Sequence, residues 1–182
     1  MICRMKSLEL HNEQAKQIAS QIAQFYFSNR EKRLRFDYGS TLQLKNHEDT
    51  EYFSVSISCL NDIIEINIAK KYVLVEPSVP LDRLIPQTMK YGLIPAVTAE
   101  LPGITCGGAV IGGSGESSSY KQGLFDDICI EFEIVLGDGT IIKASENEIS
   151  DIFYSIPWSY GTLGLLSLIK IKHRCFLYFS AC

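Results

Sequence analysis

Long apolar stretches are missing from this sequence, and no run approaches the ~18–20 residues that cross a bilayer. A secretory leader, with its basic start and short apolar centre, is missing as well. The six cysteines include no C-x-x-C pair, and the three scattered histidines form no H-E-x-x-H motif. We therefore expect a cytoplasmic protein with reduced thiols, no metal site, no secretory signal and no transmembrane segment.

Basic residues are also few, since 17 Lys and Arg against 21 Asp and Glu give a net charge of -4. Proteins that bind nucleic acid usually carry a clustered basic face, so no nucleic-acid partner is expected. The single basic run, Arg30–Arg35, is interpreted as the solvated end of a helix. A length of 182 residues, 46% of them hydrophobic, is enough for one domain or for two small lobes that share a core.

Hydrophobic periodicity predicts a mixture of helices and strands. Apolar residues at three-to-four-residue intervals predict a helix over Leu8–Arg30, packed on its own domain rather than on a partner or a membrane surface. A second helix is predicted over Val79–Gly92, and Pro86 is expected to bend or split it. Alternating or β-branched runs predict strands, with Gly137–Gly139 as a hairpin turn between two of them. These strands are Tyr52–Ser58, Ile63–Ile68, Tyr72–Glu76, Leu93–Val97, Ile128–Leu136, Thr140–Ala144 and Leu165–His173.

One segment, Thr105–Gly123, is rich in glycine and serine although apolar elements flank it. Six of its nineteen residues are glycine and four are serine, while Val110 and Ile111 lie inside it. A flexible linker would be polar throughout, whereas glycine between buried elements allows a ligand to approach the backbone closely. Free amides in such a loop can bind phosphate. A pyrophosphate-binding loop and a purely structural glycine turn both fit this composition.

Two common nucleotide-binding motifs do not occur. Gly113 and Gly115 begin a G-x-G pattern, but the third glycine of the Rossmann fingerprint is missing. The phosphate loop G-x-x-x-x-G-K-[ST] is missing too. A pyrophosphate site in this protein would therefore belong to another fold.

Four linked stretches carry a resemblance to a known family. The first has a strand, a helix and a G-L-x-P segment, and the second has a T-x-G-G-A loop followed by G-x-E-S and G-L-F. A D-G hairpin and a closing G-T-L-G turn follow. In this order the stretches resemble the FAD-binding domain of the vanillyl-alcohol-oxidase (PCMH) type, and their residues are most similar to the delta(24)-sterol reductases (Diminuto group). The stretches are Tyr72–Val97, Leu101–Ile128, Glu131–Ile142 and Asp151–Leu166.

The resemblance implies an α+β fold, namely a two-lobed PCMH-type FAD-binding domain with a small βαβ lobe and an antiparallel-sheet lobe. This domain would occupy residues 36–174, after an N-terminal helical segment (1–35) and before a short apolar tail (175–182). The cap domain that covers the flavin and binds substrate in such relatives is expected to be absent here, as is the membrane anchor of some of them.

The activity that the resemblance implies is that of an FAD-dependent oxidoreductase. It would reduce a carbon–carbon double bond in the side chain of a sterol. The electrons would pass from NAD(P)H, with NADPH as the expected donor, through FAD. The protein is expected to be a truncated form of such an enzyme. Two alternatives stay open: a non-catalytic flavin-binding module without the cap, and a sugar or alcohol oxidase of the same superfamily. Association with the endoplasmic reticulum membrane also stays open.

No catalytic residue is assigned, because a missing cap would leave no proton donor aimed at a substrate. Tyr120, Tyr154 and Tyr160 are interpreted as ordinary aromatic residues. The face that the cap would cover in relatives favours self-association, because large exposed apolar patches usually bind a partner.

The resemblance further assigns residues that would contact FAD. Amides of Thr105–Ser117 would face the pyrophosphate and the flavin edge, Gly39–Thr41 would form a first phosphate-facing turn, and Gly161–Gly164 would lie near the adenosine end. The predicted contacts are Gly39, Ser40, Thr41, Pro102, Gly103, Thr105, Cys106, Gly107, Gly108, Ala109, Gly112, Gly113, Ser114, Gly115, Glu116, Ser117, Ser118, Gly161, Thr162 and Gly164.

Three side chains in this segment are candidates for a role near the cofactor, and each also has a purely structural or surface interpretation. Glu116 either lies near the flavin or ribityl group or faces solvent, and Lys121 is interpreted as a surface lysine. FAD is expected to bind non-covalently, because the first turn has neither histidine nor cysteine and Cys106 is interpreted as a packed apolar residue.

Overall fold

The computed structural model describes residues 2–4, 6–28, 32–37, 52–101 and 103–175, with the backbone alone for residues 2–4. Strands and helices are interspersed along these residues. The strands are β1 (Ile2–Arg4), β2 (Arg33–Asp37), β3 (Tyr52–Ser56), β4 (Ile63–Asn67), β5 (Tyr72–Val75), β6 (Leu93–Pro95), β7 (Cys129–Val135), β8 (Ile141–Ser145) and β9 (Leu165–Cys175). The helices are α1 (Leu8–Phe27), α2 (Leu81–Met89), α3 (Cys106–Ile111), α4 (Ser119–Gln122) and α5 (Ser150–Ser155).

An antiparallel sheet of seven strands forms the centre of the described structure. Its order is β1-β4-β5-β9-β7-β8, and β6 pairs with the C-terminal end of β9. Strand β9 lies between β5 and β7, so that its Ile169 is opposite both Val75 and Phe132. Short turns join β4 to β5 and β7 to β8, as antiparallel neighbours allow. The α+β class predicted from the sequence is confirmed.

A separate two-stranded sheet pairs β2 with β3 in parallel along their whole length. The interpretation of Arg30–Arg35 as a solvated helix end is therefore wrong from Arg33 onward. Leu34 and Phe36 pack against the core beside α1, and the backbone of this stretch pairs with β3. Pairing and apolar burial outweigh the charge pattern of the basic run.

Helix α1 packs on this fold through one apolar face. Ser7 caps its start by accepting a hydrogen bond from the Leu10 amide at 3.0 Å. Ile18 and Ile22 are buried against a cluster that includes Val55 of β3. The prediction of a helix packed on its own domain is confirmed, and the helix ends at Phe27 rather than Arg30.

Helix α2 continues through Pro86. The helix starts directly after Pro80, and Gly92, which has a φ of +68°, lies in the turn that follows its end. The proline therefore does not split the helix. Apolar side chains of α2 face the sheet, with Leu84 fully buried.

The main core lies between the seven-stranded sheet and helices α2, α3 and α5. Ile169 and Phe132 from the sheet belong to the same buried cluster as Leu84, Val110 and Phe153 from the three helices. The rings of Phe132 and Phe153 stack with their centroids 5.1 Å apart. This core fixes α3, and with it the glycine-rich segment, against one face of the sheet.

Candidate functional site

The first part of the glycine-rich segment is a short helix. Helix α3 covers Cys106–Ile111, and the Thr105 side chain caps it by accepting a hydrogen bond from the Gly108 amide at 3.1 Å. Ala109 and Val110 are fully buried in the main core. The prediction of a continuous loop is wrong here, because these apolar side chains hold the segment in the core.

Two amides of this helix bond to the turn that precedes α2. The Cys106 amide donates to the Val79 carbonyl at 2.8 Å, and the Gly107 amide donates to the Pro77 carbonyl at 2.8 Å. A Cβ on Gly107 would lie 2.7 Å from the Pro77 Cβ and 3.1 Å from the Pro77 oxygen. Glycine is therefore needed at position 107 so that the two backbone segments can approach each other.

Further amides of the segment also donate within the protein. The Gly112 amide donates to the Gly108 carbonyl at 2.9 Å, and the Ser114 amide donates to the Ala109 carbonyl at 3.0 Å. The prediction that the amides of this segment are free to bind a ligand is therefore wrong over most of its length. The amides with internal acceptors are those of Cys106, Gly107, Gly108, Ala109, Gly112, Gly113 and Ser114.

Hydrogen-bond donors remain at the next turn. Among the described residues, none accepts a hydrogen bond from the Ser114 hydroxyl or from the amides of Gly115 and Ser117. These three groups lie within four consecutive residues, and Gly115 and Ser117 are exposed. The turn can therefore offer neutral donors to an anionic ligand.

The Glu116 carboxylate fastens this turn from within. It accepts hydrogen bonds from the Ser117 hydroxyl at 2.8 Å, the Ser118 amide at 2.9 Å and the Ser118 hydroxyl. Burial opposes the charged form, but these hydrogen bonds and one from the Thr98 amide outweigh it and lower the pKa of Glu116 to about 2. Glu116 is thus an ionised carboxylate whose partners lie in its own turn and at Thr98.

A second turn, residues 156–164, lies against the C-terminal end of α3. The Tyr160 amide donates to the Ile111 carbonyl at 3.2 Å, and the Trp158 amide lies 3.5 Å from the Val110 carbonyl. A Cβ on Gly113 would overlap the Trp158 ring. The backbone of Trp158 and Tyr160 has positive φ, at +65° and +51°, which is uncommon for these residue types. The structure thus brings two of the predicted glycine-rich turns together.

A small cavity of about 110 Å³ lies on the other side of the Gly161–Gly164 turn. Helix α1 contributes Ile22 to its wall and strand β2 contributes Leu34 and Phe36. A Cβ on Gly164 would lie 2.7 Å from the Val135 carbonyl oxygen, so glycine is required where this turn enters β9. The cavity has apolar side chains on one part of its wall, and the other part is formed by the residues predicted to be near an adenosine group.

A larger cavity, of about 450 Å³, lies between the start of β7, the end of β8 and α5. Four carboxylates line it, from Asp126, Asp127, Glu131 and Glu146, together with aromatic residues that include Tyr154. A site with this charge would repel a diphosphate. The cavity was not predicted from the sequence, because its lining comes from segments far apart in the sequence.

Residues 28–145 match the sequence model of the family described as FAD binding domain. The match spans more than half of the protein and includes all of the glycine-rich segment. The chain belongs to the FAD binding domain family.

Relatives and a solved structure agree with this membership. The chain is 41% identical to the delta(24)-sterol reductase of Pisum sativum over 128 residues, which is 70% of the chain and 23% of the relative. It is 42% identical to the delta(24)-sterol reductase of Homo sapiens over 113 residues, which is 62% of the chain and 22% of the relative. The chain thus spans less than a quarter of the length of these relatives.

The fold is similar to that of 6-hydroxy-D-nicotine oxidase from Arthrobacter nicotinovorans, with a TM-score of 0.74. The similarity covers 88% of the chain and 35% of that structure at 20% sequence identity. At this identity the comparison concerns the fold alone, and it agrees with the expected FAD-binding fold of the PCMH type.

The residues present in this FAD binding domain fit a bound diphosphate. The free donors of Ser114, Gly115 and Ser117 are neutral, and the Glu116 charge is already matched by hydrogen-bond donors. Gly108 is exposed, with only the Thr105 hydroxyl oxygen close to the position of a Cβ. A ligand can therefore approach the backbone at Gly108 without meeting a side chain of that residue.

The remaining predicted positions of this FAD binding domain divide into two groups. Gly39, Ser40, Thr41 and Pro102 lie outside the described residues. Gly103 and Thr105 lie directly before α3, and Ser118 donates its hydroxyl hydrogen bond to the Ala96 carbonyl or to Glu116. Trp158 was not singled out from the sequence, although it lies inside the stretch that carried the resemblance.

Other side chains near the site are largely as interpreted. Cys106 is fully buried, and burial raises the pKa of its thiol far above the ordinary value. Lys121 is exposed, with its ammonium group 5.2 Å from the centre of the Tyr120 ring. Tyr120, Tyr154 and Tyr160 are all exposed surface aromatics.

The described residues contain no group of three or more His, Cys, Asp or Glu side chains arranged to hold a metal ion. No helix formed by these residues combines the length and hydropathy that a membrane span requires.

Proposed function

We propose that this protein binds FAD through the glycine-rich segment and the 156–164 turn. The observation that carries the proposal is the family match over residues 28–145, which contains the segment with the free donors. The Ser114 hydroxyl and the amides of Gly115 and Ser117 would donate to the diphosphate. The turn at Gly161, Thr162 and Gly164 would lie near the adenosine group, beside the small cavity.

The other predicted contacts have supporting roles in this proposal. Gly108 and Gly112 would allow close approach of the cofactor, while Gly107 and Ala109 hold α3 in place. Glu116 and Ser118 would maintain the conformation of Ser114–Ser117, which we name the donor turn, rather than touch the reacting atoms. Gly39–Thr41, Pro102 and Gly103 are proposed as further contacts on the strength of the family resemblance.

Non-covalent binding is part of the proposal. Cys106 is the cysteine nearest to the donor turn in sequence, and its sulfur is buried in the core with a raised thiol pKa. A buried, protonated thiol is a poor nucleophile. Acid precipitation should therefore release all flavin into the supernatant, and flavin retained on the pellet would contradict this.

The reaction we propose is reduction of a carbon–carbon double bond in the side chain of a sterol by electrons from NAD(P)H, in a protein of the delta(24)-sterol reductase type. This finer assignment is supported by the 41% and 42% identities to two such reductases. FAD supplies hydride transfer when bound, and the protein supplies binding and orientation. The described residues would hold the nucleotide, and we assign no proton donor among them.

Titration of the purified protein with FAD tests the cofactor assignment. Saturable change in flavin fluorescence is expected for the unmodified protein. The Gly108→Leu variant should weaken binding about tenfold or more, because a side chain at this exposed position blocks approach to the backbone. Ala69→Leu, in the exposed turn between β4 and β5, is the matched control and should bind FAD normally.

Circular dichroism of both variants must show the unmodified secondary structure. Equal FAD affinity of a folded Gly108→Leu variant and the control would contradict the placement of the cofactor at α3.

A further inference from the structure

Four buried ionisable side chains join helix α1 to the centre of the sheet. They are Lys6 and His11 from the N-terminal part and Glu76 and Glu133 from the sheet region, and we name them the ionic cluster. Their exposed fractions are 8%, 0%, 0% and 6%, so water contributes little to their solvation. Unpaired charges at such positions would be strongly destabilising, so the cluster must be matched internally.

The geometry of the cluster places both ring nitrogens of His11 within hydrogen-bond distance of a carboxylate. Its Nδ1 lies 2.8 Å from Glu76 Oε1 and its Nε2 lies 3.0 Å from Glu133 Oε1. Ionised carboxylates only accept hydrogen bonds, and a neutral imidazole can donate from only one nitrogen. The imidazolium form can donate to both carboxylates at once, and the Lys6 ammonium also donates to Glu76.

Glu76 is held by three donors. The Lys6 ammonium donates to its Oε1 at 2.7 Å, His11 contacts the same oxygen, and the Asp62 amide donates to its Oε2 at 2.7 Å. The next residue, Pro77, accepts the hydrogen bond from the Gly107 amide, and Val79 accepts the one from the Cys106 amide. The turn that Glu76 begins is therefore the turn to which α3 is attached.

We propose that His11 is a positioning residue for the flavin site, acting through Glu76 and the 76–79 turn on the orientation of α3. This inference rests on the proposed binding of FAD at α3. It links a helix with no predicted cofactor contact to the cofactor site through the His11–Glu76 hydrogen bond, the backbone of residues 76–79 and the hydrogen bonds from the amides of α3.

The protonation of His11 gives the link a defined pH dependence. Burial alone would lower the pKa of His11, but its hydrogen bonds to Glu133 and Glu76 outweigh burial and raise it above 6.5. Because the pKa of His11 is raised in the folded state, the stabilisation that protonated His11 gives to the cluster is complete below pH 6.5. This stabilisation is lost as the pH rises through the folded-state pKa. FAD affinity should therefore fall on the alkaline side.

Two further charged groups lie at the edge of the cluster. Lys143 lies 4.0 Å from Glu133, and Asp62 lies 3.9 Å from Lys6. The pKa of Glu133 is lowered, against the effect of burial, by its hydrogen bond from His11. Burial raises the pKa of the Cys59 thiol above 9.0, so this group stays protonated through neutral and mildly alkaline pH.

The test is the dissociation constant of FAD from about pH 6 to about pH 9 for the unmodified protein and for His11→Gln. Affinity of the unmodified protein should weaken about tenfold across this range, consistent with loss of a charge-assisted hydrogen bond. His11→Gln should bind FAD weakly at every pH, and its plot of FAD affinity against pH should show no midpoint. A pH-independent affinity of the unmodified protein overturns the inference.

His173→Gln is the matched control, because His173 is buried and burial lowers its pKa to about 4, so it stays neutral in the tested range. This variant should keep the pH midpoint even if its stability falls. His47 lies outside the described residues and is unchanged in every variant. Loss of the midpoint in His173→Gln as well as in His11→Gln would show a general stability effect and overturn the inference.

Glu133→Gln tests the inference even if His11→Gln does not fold. It removes the negative charge of Glu133, which raises the pKa of His11, so the pH midpoint of FAD affinity should move to lower pH, and an unchanged midpoint overturns the inference. Absence of FAD binding at all pH values would instead overturn the proposed function, and this inference with it.

Discussion

At the scale of single residues, glycine is required at two points of the site for different reasons. Gly107 lets α3 lie directly against Pro77, and its own φ is not in the left-handed region. Gly113 has a φ of +69° and also faces the ring of Trp158, so both backbone conformation and space exclude a side chain. Glycine content left a ligand loop and a structural turn both open, and at these two positions glycine serves close packing.

Replacing Gly107 with alanine should lower the free energy of unfolding by about 1–3 kcal/mol, because the added methyl group overlaps Pro77. Thermal and denaturant unfolding measure this change. Gly137→Ala is the control, since nothing lies within 4 Å of its Cβ position, and its stability should be unchanged or higher by up to about 1 kcal/mol. Equal stability of the two variants would show that the contact with Pro77 is not close in solution.

At the scale of elements, periodicity predicted most strands and the two longer helices. The antiparallel strands have alternating side chains, and Gly137–Gly139 forms the hairpin between β7 and β8. Patterns failed where tertiary contacts decide the local structure. Arg33 lies in a strand because β3 pairs with it, and α3 is helical because Ala109 and Val110 are buried in the core.

The ionic cluster was also invisible in the sequence. His11 has the helical spacing of an apolar face, but its two carboxylate partners come from positions 65 and 122 residues away. No local pattern encodes such a contact. The motifs that matched the family, by contrast, are short and contiguous, so the sequence was sufficient to indicate the cofactor.

Helix α1 should contribute strongly to stability through its apolar face. Ile22 is 1% exposed and packs in the cluster with Val55, so Ile22→Ala should lower the free energy of unfolding by about 2–5 kcal/mol. The neighbouring Gln21 is exposed, and Gln21→Ala should change it by less than about 0.5 kcal/mol. Denaturant unfolding of both variants measures the difference. A loss below about 1 kcal/mol for Ile22→Ala would mean that α1 is loosely attached.

At the scale of the whole molecule, the sheet brings the glycine-rich turns of distant segments to one region. Helix α3 is attached on one side to the 76–79 turn and on the other to the 156–164 turn. The first attachment leads to the ionic cluster and α1, and the second leads into β9. The site therefore depends on contacts between segments that are far apart in the sequence.

Surface exposure bears on the expected self-association. Tyr154, Trp158, Tyr160 and Leu163 are exposed by 63%, 51%, 73% and 45%, and they lie close together in sequence around the 156–164 turn. Self-association stays a prediction. The relatives are more than four times longer than the matched part, so a face that is exposed here can be covered in a longer protein.

The most direct test of the central claim is the absorption spectrum of the folded protein after incubation with excess FAD and removal of unbound cofactor. Flavin bands should remain at a ratio close to one FAD per protein molecule, because we propose that the dinucleotide binds at Ser114–Ser117 and α3. A preparation that keeps its secondary structure but shows no flavin absorption after this treatment would contradict the account.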